Sequence, residues 1–161
     1  RFGNIAWSTG SVLPIWKKMH EKNKIILTTG PYMRRFFFTA EQAADLVIYG
    51  MNNIKKFHGS IISRDMKSAK IIDIINVWIR KRGGSYKIIK QRKGDGQDEN
   101  LIGENELDYT KKIRNKKIIY YVINYKKKIK RQIKKIISSK NSKKLSVKEI
   151  EAILDYKILS K

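Results

Sequence analysis

The 161-residue chain contains no cysteine. That excludes disulfides, cysteine-ligated zinc and a thiol nucleophile, and it suits a reducing compartment such as the cytoplasm. Acidic side chains are scarce: 14 Asp and Glu stand against 37 Lys and Arg, a net charge of +23. No apolar run reaches the roughly 18 residues that a membrane span needs. Nothing at the start resembles a signal or transit peptide. What is present is enough for a folded domain, since 41% of the residues are hydrophobic, which argues against wholesale disorder. The chain begins at Arg1 without Met, and Arg1–Ile5 reads as the end of a strand entering a turn. It is expected to be the back portion of something longer.

A charge of +23 first suggests a polyanion partner, because clustered Lys and Arg neutralise phosphates. The charge is uneven, however. Residues 1–110 hold 19 basic and 11 acidic side chains, whereas residues 111–161 hold 18 and 3. About two-thirds of the excess therefore lies in the last third of the chain. Lys supplies 28 of the basic residues, alongside heavy use of Ile, a bias that a solvated face explains as readily as a ligand does.

Hydrophobic periodicity alternates between helix and strand. Ser11–Met19 reads as a helix with Pro14 tolerated in its first turn. Lys24–Thr28 and Arg35–Phe38 read as extended. Thr39 and Gln42 form a capping box opening a helix that carries Ala43, Ala44, Val47, Ile48 and Met51 at helical spacing. Ser60–Ser63 is a short strand. Ser68 is expected to cap a helix whose wide apolar face runs from Ile71 to Ile79 and stops at Gly83-Gly84. Tyr86–Ile89 suggests a buried strand, and Gly94–Asn100 an acidic loop. Ser146 and Glu149 form a second capping box, with Leu145 and Ile150 as its hydrophobic staple. The fold class is α/β, with too few strands for a complete doubly wound sheet.

Several apparent motifs carry no chemistry. His20 and His58 lie far apart without carboxylates at ligand spacing, and both read as surface residues. Gly94-Asp-Gly96 begins like a dinucleotide fingerprint, but no strand–turn–helix context follows. Tyr86-x-x-x-Lys90 matches a short-chain dehydrogenase pair, yet it sits in a strand-like segment where i and i+4 do not converge. What remains are groups able to meet phosphate: Asn4, Ser11, Arg35 and Arg92, the arginines offering two donors to two oxygens.

The order of segments then resembles a known family. Arg1-Phe-Gly-Asn-Ile5 and Ser11-Val-Leu-Pro-Ile-Trp-Lys-Lys18 are similar to segments of the polysaccharide-biosynthesis branch of extended short-chain dehydrogenases, which includes UDP-N-acetylglucosamine 4,6-dehydratases. Met33-Arg-Arg-Phe-Phe-Phe-Thr39, Met66-Lys-Ser-Ala-Lys-Ile-Ile-Asp73 and Arg92-Lys-Gly-Asp-Gly-Gln-Asp-Glu99 continue the match in order. Position 34 is Arg where the family commonly has Thr, and position 93 is Lys rather than Pro.

The resemblance implies the C-terminal portion of an extended Rossmann-type fold, without the N-terminal nucleotide-binding half and its catalytic Tyr-x-x-x-Lys. No catalytic residue is assigned to this chain. Residues 1–110 would bind a nucleotide sugar, and residues 111–161 would be a Lys-rich helical extension. By position, Asn4 would contact the diphosphate or sugar, and Ser11 and Val12 would lie along the nucleotide. Arg35 and Arg92 would grip the phosphates, and Glu99 would bond the ribose or brace Arg92. A UDP-sugar is the expected partner, NAD(P) the cofactor of the complete enzyme, and a homo-oligomer its assembled form. No metal is expected.

Two other readings rest on the tail. Tyr120, Tyr121 and Tyr125 among lysines could stack nucleic-acid bases. Ile129, Ile133, Ile136 and Ile137 could form the apolar stripe of a helix lying on an anionic membrane.

Overall fold

The computed structural model describes residues 1–90 and 94–156. Among the described residues the strands form four small sheets, with helices between them. Strand β1 (Asn4–Ile5) pairs parallel with β3 (Arg34–Phe38), which pairs antiparallel with β5 (Lys67–Lys70). Strand β2 (Ile25–Thr28) pairs parallel with β6 (Ser85–Ile88). Strand β9 (Ile118–Ile123) lies between β4 (Ile61–Arg64) and β8 (Thr110–Asn115) in an antiparallel sheet, and β7 (Asn100–Ile102) pairs with β10 (Ile137–Ser138). Helices α1 (Val12–Asn23), α2 (Ala40–Asn52), the single turn α3 (Ile54–Phe57), α4 (Ile71–Arg82) and α5 (Val147–Asp155) fill the connections. This mixed arrangement is part of a Rossmann-type fold.

Alternation along β3 sets the two cores apart, because neighbouring strand residues face opposite ways. Phe37 joins a core with Trp16, Ile75, Trp78 and Leu154 from α1, α4 and α5, whereas Phe36 and Phe38 join a second with Leu46, Leu107, Tyr120 and Ile123. Both capping boxes form as their local spacing dictates, Thr39 with Gln42 and Ser146 with Glu149.

Several expectations need correction. The 111–161 extension is not a helix: its first part is the β8–β9 hairpin, and α5 is its only helix among the described residues. Tyr120 and Tyr121 are buried in β9, and Tyr120 stacks on Tyr49 with ring centroids 3.6 Å apart, so neither offers a face to a base. Ile129, Ile133, Ile136 and Ile137 do not share a helix face. Ile129, Ile133 and Ile136 lie in irregular backbone, with Ile133 buried in the second core, and Ile137 opens β10. Ser68 does not cap α4 but lies in β5, its buried hydroxyl donating to the Ser139 carbonyl at 2.7 Å. Lys70 holds the cap position.

His20 is buried rather than on the surface, its Nε2 lying 3.0 Å from the Gly83 carbonyl and its ring edge-on to Trp78. Gly84 makes that fit possible. At φ +91° it lies so close that a Cβ would sit 2.3 Å from the Lys24 carbonyl oxygen. Strand β6 forms where expected but is exposed along its length. On α2 the buried position is Leu46, while Val47, Ile48 and Met51 face outward.

Arg1 fastens the strand entry to the distal core. Its guanidinium donates to both carboxylate oxygens of Glu106, at 2.9 and 2.7 Å, and to the Leu101 carbonyl. The Tyr125 hydroxyl donates to the same carboxylate. These bonds, the Arg1 bond first, hold Glu106 down at about 2, below its ordinary 4.5. The folded state thus favours the ionised group. That stabilisation is complete above about pH 4.5 and is lost as the pH falls toward 2. Urea unfolding across this range should show stability falling with acid, and Glu106→Gln should flatten the fall; an unchanged slope would contradict the assignment.

Candidate functional site

A cleft of about 520 Å³ opens between β1, the start of α1, the end of β2 and β3. Asn4, Ser11, Val12 and Arg35 all line it, although they come from three separate segments. Gly10, at φ +76°, makes the turn from β1 into α1. Ser11 then takes the N-cap position in extended backbone, but its side chain makes no capping bond. The Ser11 hydroxyl is buried without a hydrogen-bond partner among the described residues. Pro14 sits in the first helical turn, where its missing N–H costs nothing, and no acidic side chain occupies that turn. The positive end of the helix therefore faces the cleft uncompensated by its own sequence.

Arg34 and Arg35 separate on alternate faces of β3. Arg34 pairs with Asp98 at 3.0 Å and lies outside the cleft. Arg35 lines the cleft. Its Nη2 donates to the Gly96 carbonyl at 3.0 Å and its Nη1 to its neighbour's carbonyl at 2.9 Å, with Glu99 3.5 Å from Nε. The partners of Nη1 and Nη2 are neutral carbonyls, so the Glu99 carboxylate at Nε offsets the guanidinium charge from one side only.

Glu99 sits behind these residues rather than in the cleft wall. Its carboxylate accepts from Asn4 Nδ2 at 3.1 Å to each oxygen and from the Phe36 amide at 3.0 Å. It thereby braces Asn4 and Arg35. Arg92 lies outside the described residues, so a Glu99–Arg92 contact does too.

Four contributors carry no role in the sequence analysis: Ser139, Asp98, Thr28 and Thr29. Ser139 accepts from the Glu99 amide at 2.9 Å and donates to the Arg34 carbonyl, pinning the acidic loop from forty residues away. Asp98 holds Arg34 aside, and Thr28 and Thr29 at the end of β2 complete the far wall. A lone Ser or Thr in a polar stretch carries no signal for such a role. The Asp98–Glu99 pair opposite Arg34–Arg35 does, as two charges spaced alike.

A family model described as polysaccharide biosynthesis protein matches residues 1–124. An uncharacterised membrane protein of Methanocaldococcus jannaschii is 32% identical over 96% of this chain and 47% of its own length. A UDP-N-acetylglucosamine 4,6-dehydratase (inverting) of Campylobacter jejuni is 31% identical over 76% of this chain and 35% of its own. The X-ray structure of Pen from Bacillus thuringiensis superposes with a TM-score of 0.82 at 25% identity, over 96% of this chain and 47% of that one. The chain thus spans about half the length or less of the relatives it matches.

Two substitutions separate positioning from contact. Ser11→Ala removes a hydroxyl without a partner, so thermal or urea unfolding should change by less than about 0.5 kcal/mol. Glu99→Ala strips bonds from Asn4 and Phe36 and should cost about 1–3 kcal/mol. Equal effects would contradict this division of roles.

Proposed function

The chain belongs to the polysaccharide biosynthesis protein family, and on that premise we propose that it is the substrate-binding portion of a nucleotide-sugar dehydratase or epimerase, taking a substrate like UDP-N-acetylglucosamine. The observation that carries this reading is convergence. Asn4, Ser11, Val12 and Arg35 line one cleft, and Glu99 holds two of them in place. A diphosphate suits this arrangement: Arg35 offers charge, Ser11 a free hydroxyl, and the start of α1 a field that favours anions. Asn4, whose Nδ2 donates to Glu99 and to the Phe36 carbonyl, would present its Oδ1 beside them as an acceptor for a sugar hydroxyl. Val12 and the aliphatic wall at Leu27 would cover the flat nucleoside. Arg92, which follows β6 in sequence, would add a second cation.

The described residues do not form a dinucleotide site. Tyr86 lies on β6 and Lys90 beyond its end, so the pair does not share a helix face. Gly94-Asp-Gly96 leads into β7 rather than a helix. NAD(P), which supplies and recovers hydride in the complete enzyme by resemblance, would be held by residues outside this chain. No chemical step is assigned to these residues. Their part is to bind and orient the sugar nucleotide. The chain by itself should therefore bind without turnover.

Two structural features support a portion of a larger fold. Among the described residues strand β1 pairs on one side only, with β3. Helix α2 leaves Val47, Ile48 and Met51 about half exposed or more, at 48, 53 and 65%. Parallel strands are ordinarily covered on both faces, so this edge and this helix suit a further layer. By the same reading the complete protein works as a homo-oligomer in the cytoplasm, where nucleotide sugars are supplied. Among the described residues no helix is long and apolar enough to cross a membrane.

Isothermal calorimetry with UDP-N-acetylglucosamine tests the binding claim. The chain should bind, and Arg35→Ala should weaken binding about tenfold or more, the cost of a charge-assisted contact. Absence of binding, or binding indifferent to Arg35, would overturn the proposal. So would formation of a 4-keto sugar by this chain alone with NAD(P), which would contradict the claim that it lacks the catalytic half.

A further inference from the structure

Ser139 stands behind the Arg35 cleft, fully buried at 0% exposure and absent from the cleft wall. The turn that carries it closes on Asn141, whose Oδ1 accepts from the Ser138 amide at 2.9 Å and whose Nδ2 donates to the Ile136 carbonyl at 2.8 Å. The Ser142 hydroxyl donates to the Ser138 carbonyl, and the buried Ser68 hydroxyl holds the Ser139 carbonyl at 2.7 Å. Ser139 is therefore fixed from its own side, independently of the loop it meets.

Two of the groups that hold the Arg35 guanidinium lead back to Ser139. Glu99 faces Nε at 3.5 Å. Both backbone groups of Glu99 are taken by Ser139, whose amide donates to the Glu99 carbonyl at 2.8 Å while its hydroxyl accepts from the Glu99 amide at 2.9 Å. The other group is the Arg34 carbonyl, which accepts from Arg35 Nη1 at 2.9 Å. That same carbonyl accepts from the Ser139 hydroxyl at 3.1 Å. A serine hydroxyl has a single proton to give. Its alternative acceptor, Asp98 Oδ1, is farther at 3.3 Å and is already bound by Arg34 Nη1 at 3.0 Å.

Sharing a carbonyl matters for binding. To grip a diphosphate, Arg35 must turn its Nη groups away from the carbonyls they now satisfy. A carbonyl abandoned away from water costs free energy. The Arg34 carbonyl would not be abandoned, because the Ser139 hydroxyl stays on it. Glu99, clamped through its backbone, meanwhile keeps its carboxylate opposite Nε, so the guanidinium turns about a held end.

We propose that Ser139 is a positioning residue of the Arg35 cleft: its hydroxyl steadies Glu99 and keeps the Arg34 carbonyl satisfied, which frees the guanidinium for a phosphate. The identity of that anion rests on the nucleotide-sugar reading. What Ser139 contributes is a determinant of affinity that never touches the ligand.

Nitrogen-15 NMR of the ligand-free chain and calorimetric titration with UDP read the two halves of this role. Ser139→Ala should shift the Arg35 Nε–H and Asn4 Nδ2 resonances before any ligand is added, and it should weaken UDP binding about fivefold, the effect of one lost hydrogen bond. Thr110→Val is the control. It removes another buried hydroxyl from a backbone carbonyl, that of Glu106 at 2.6 Å, and should lower stability while leaving the Arg35 resonance and the UDP affinity as in the parent. Should Ser139→Ala not fold, Ser68→Ala withdraws the donor from the Ser139 carbonyl and should shift the same resonances by less. The inference is overturned if these resonances stay in place, if Ser139→Ala binds UDP like the parent, or if Thr110→Val reproduces both effects. A parent chain that does not bind UDP would overturn the nucleotide-sugar reading instead, and the ligand-free resonances would still decide whether Ser139 positions Arg35.

Discussion

The Glu99 carboxylate ties two strands and a loop together, and the geometry of the main cleft follows from it. It accepts from Asn4 on β1 and from the Phe36 amide on β3, while facing the Arg35 guanidinium. Because β1 contains only two residues, its ladder with β3 is short, and a side-chain bridge across the pair has more to do than in a long sheet. Ser139 secures Glu99 from behind through both backbone groups. The adjacent Arg34–Asp98 pair fixes the alternation that sends Arg35, and not Arg34, toward the cleft.

Packing explains why that bridge can be stiff. Trp16 and Trp78 meet edge to face with centroids 6.4 Å apart, and Trp7 reaches α5 by donating to the Ile153 carbonyl at 2.7 Å. Helices α1, α4 and α5 therefore form one body behind β3. The cleft uses the end of α1 held by this body. On the other side of β3, α2 packs through Leu46 and Tyr49 but leaves a row of apolar side chains exposed. Both faces of β3 are thus covered, and it is the outer side of α2 that stays open.

Local features were legible in the sequence because their cause is local. Both capping boxes, the α4 stripe and the extended run before Thr39 depend on spacings of a few residues, and each forms. Asn4, Ser11, Val12 and Arg35, singled out by the order of motifs, line one cleft. The tail was not legible. Its isoleucines at positions 129, 133, 136 and 137 mimic a helix stripe, and the β8–β9 turn has no glycine to announce it. There Lys116 takes φ +51°, a conformation that lysine rarely signals. His20 and Ser68 were misread for a related reason. Each owes its burial to a distant partner, Gly83–Gly84 in one case and Ser139 in the other.

The central claim is that one cleft receives the diphosphate of a nucleotide sugar. A crystal structure of the chain with bound UDP tests it most directly. The account predicts diphosphate density within hydrogen-bond reach of the Arg35 guanidinium and the Ser11 hydroxyl, with Glu99 still bonded to Asn4. Diphosphate density anywhere else on the chain, or an Arg35 that remains turned to the Gly96 carbonyl beside the bound nucleotide, would contradict it.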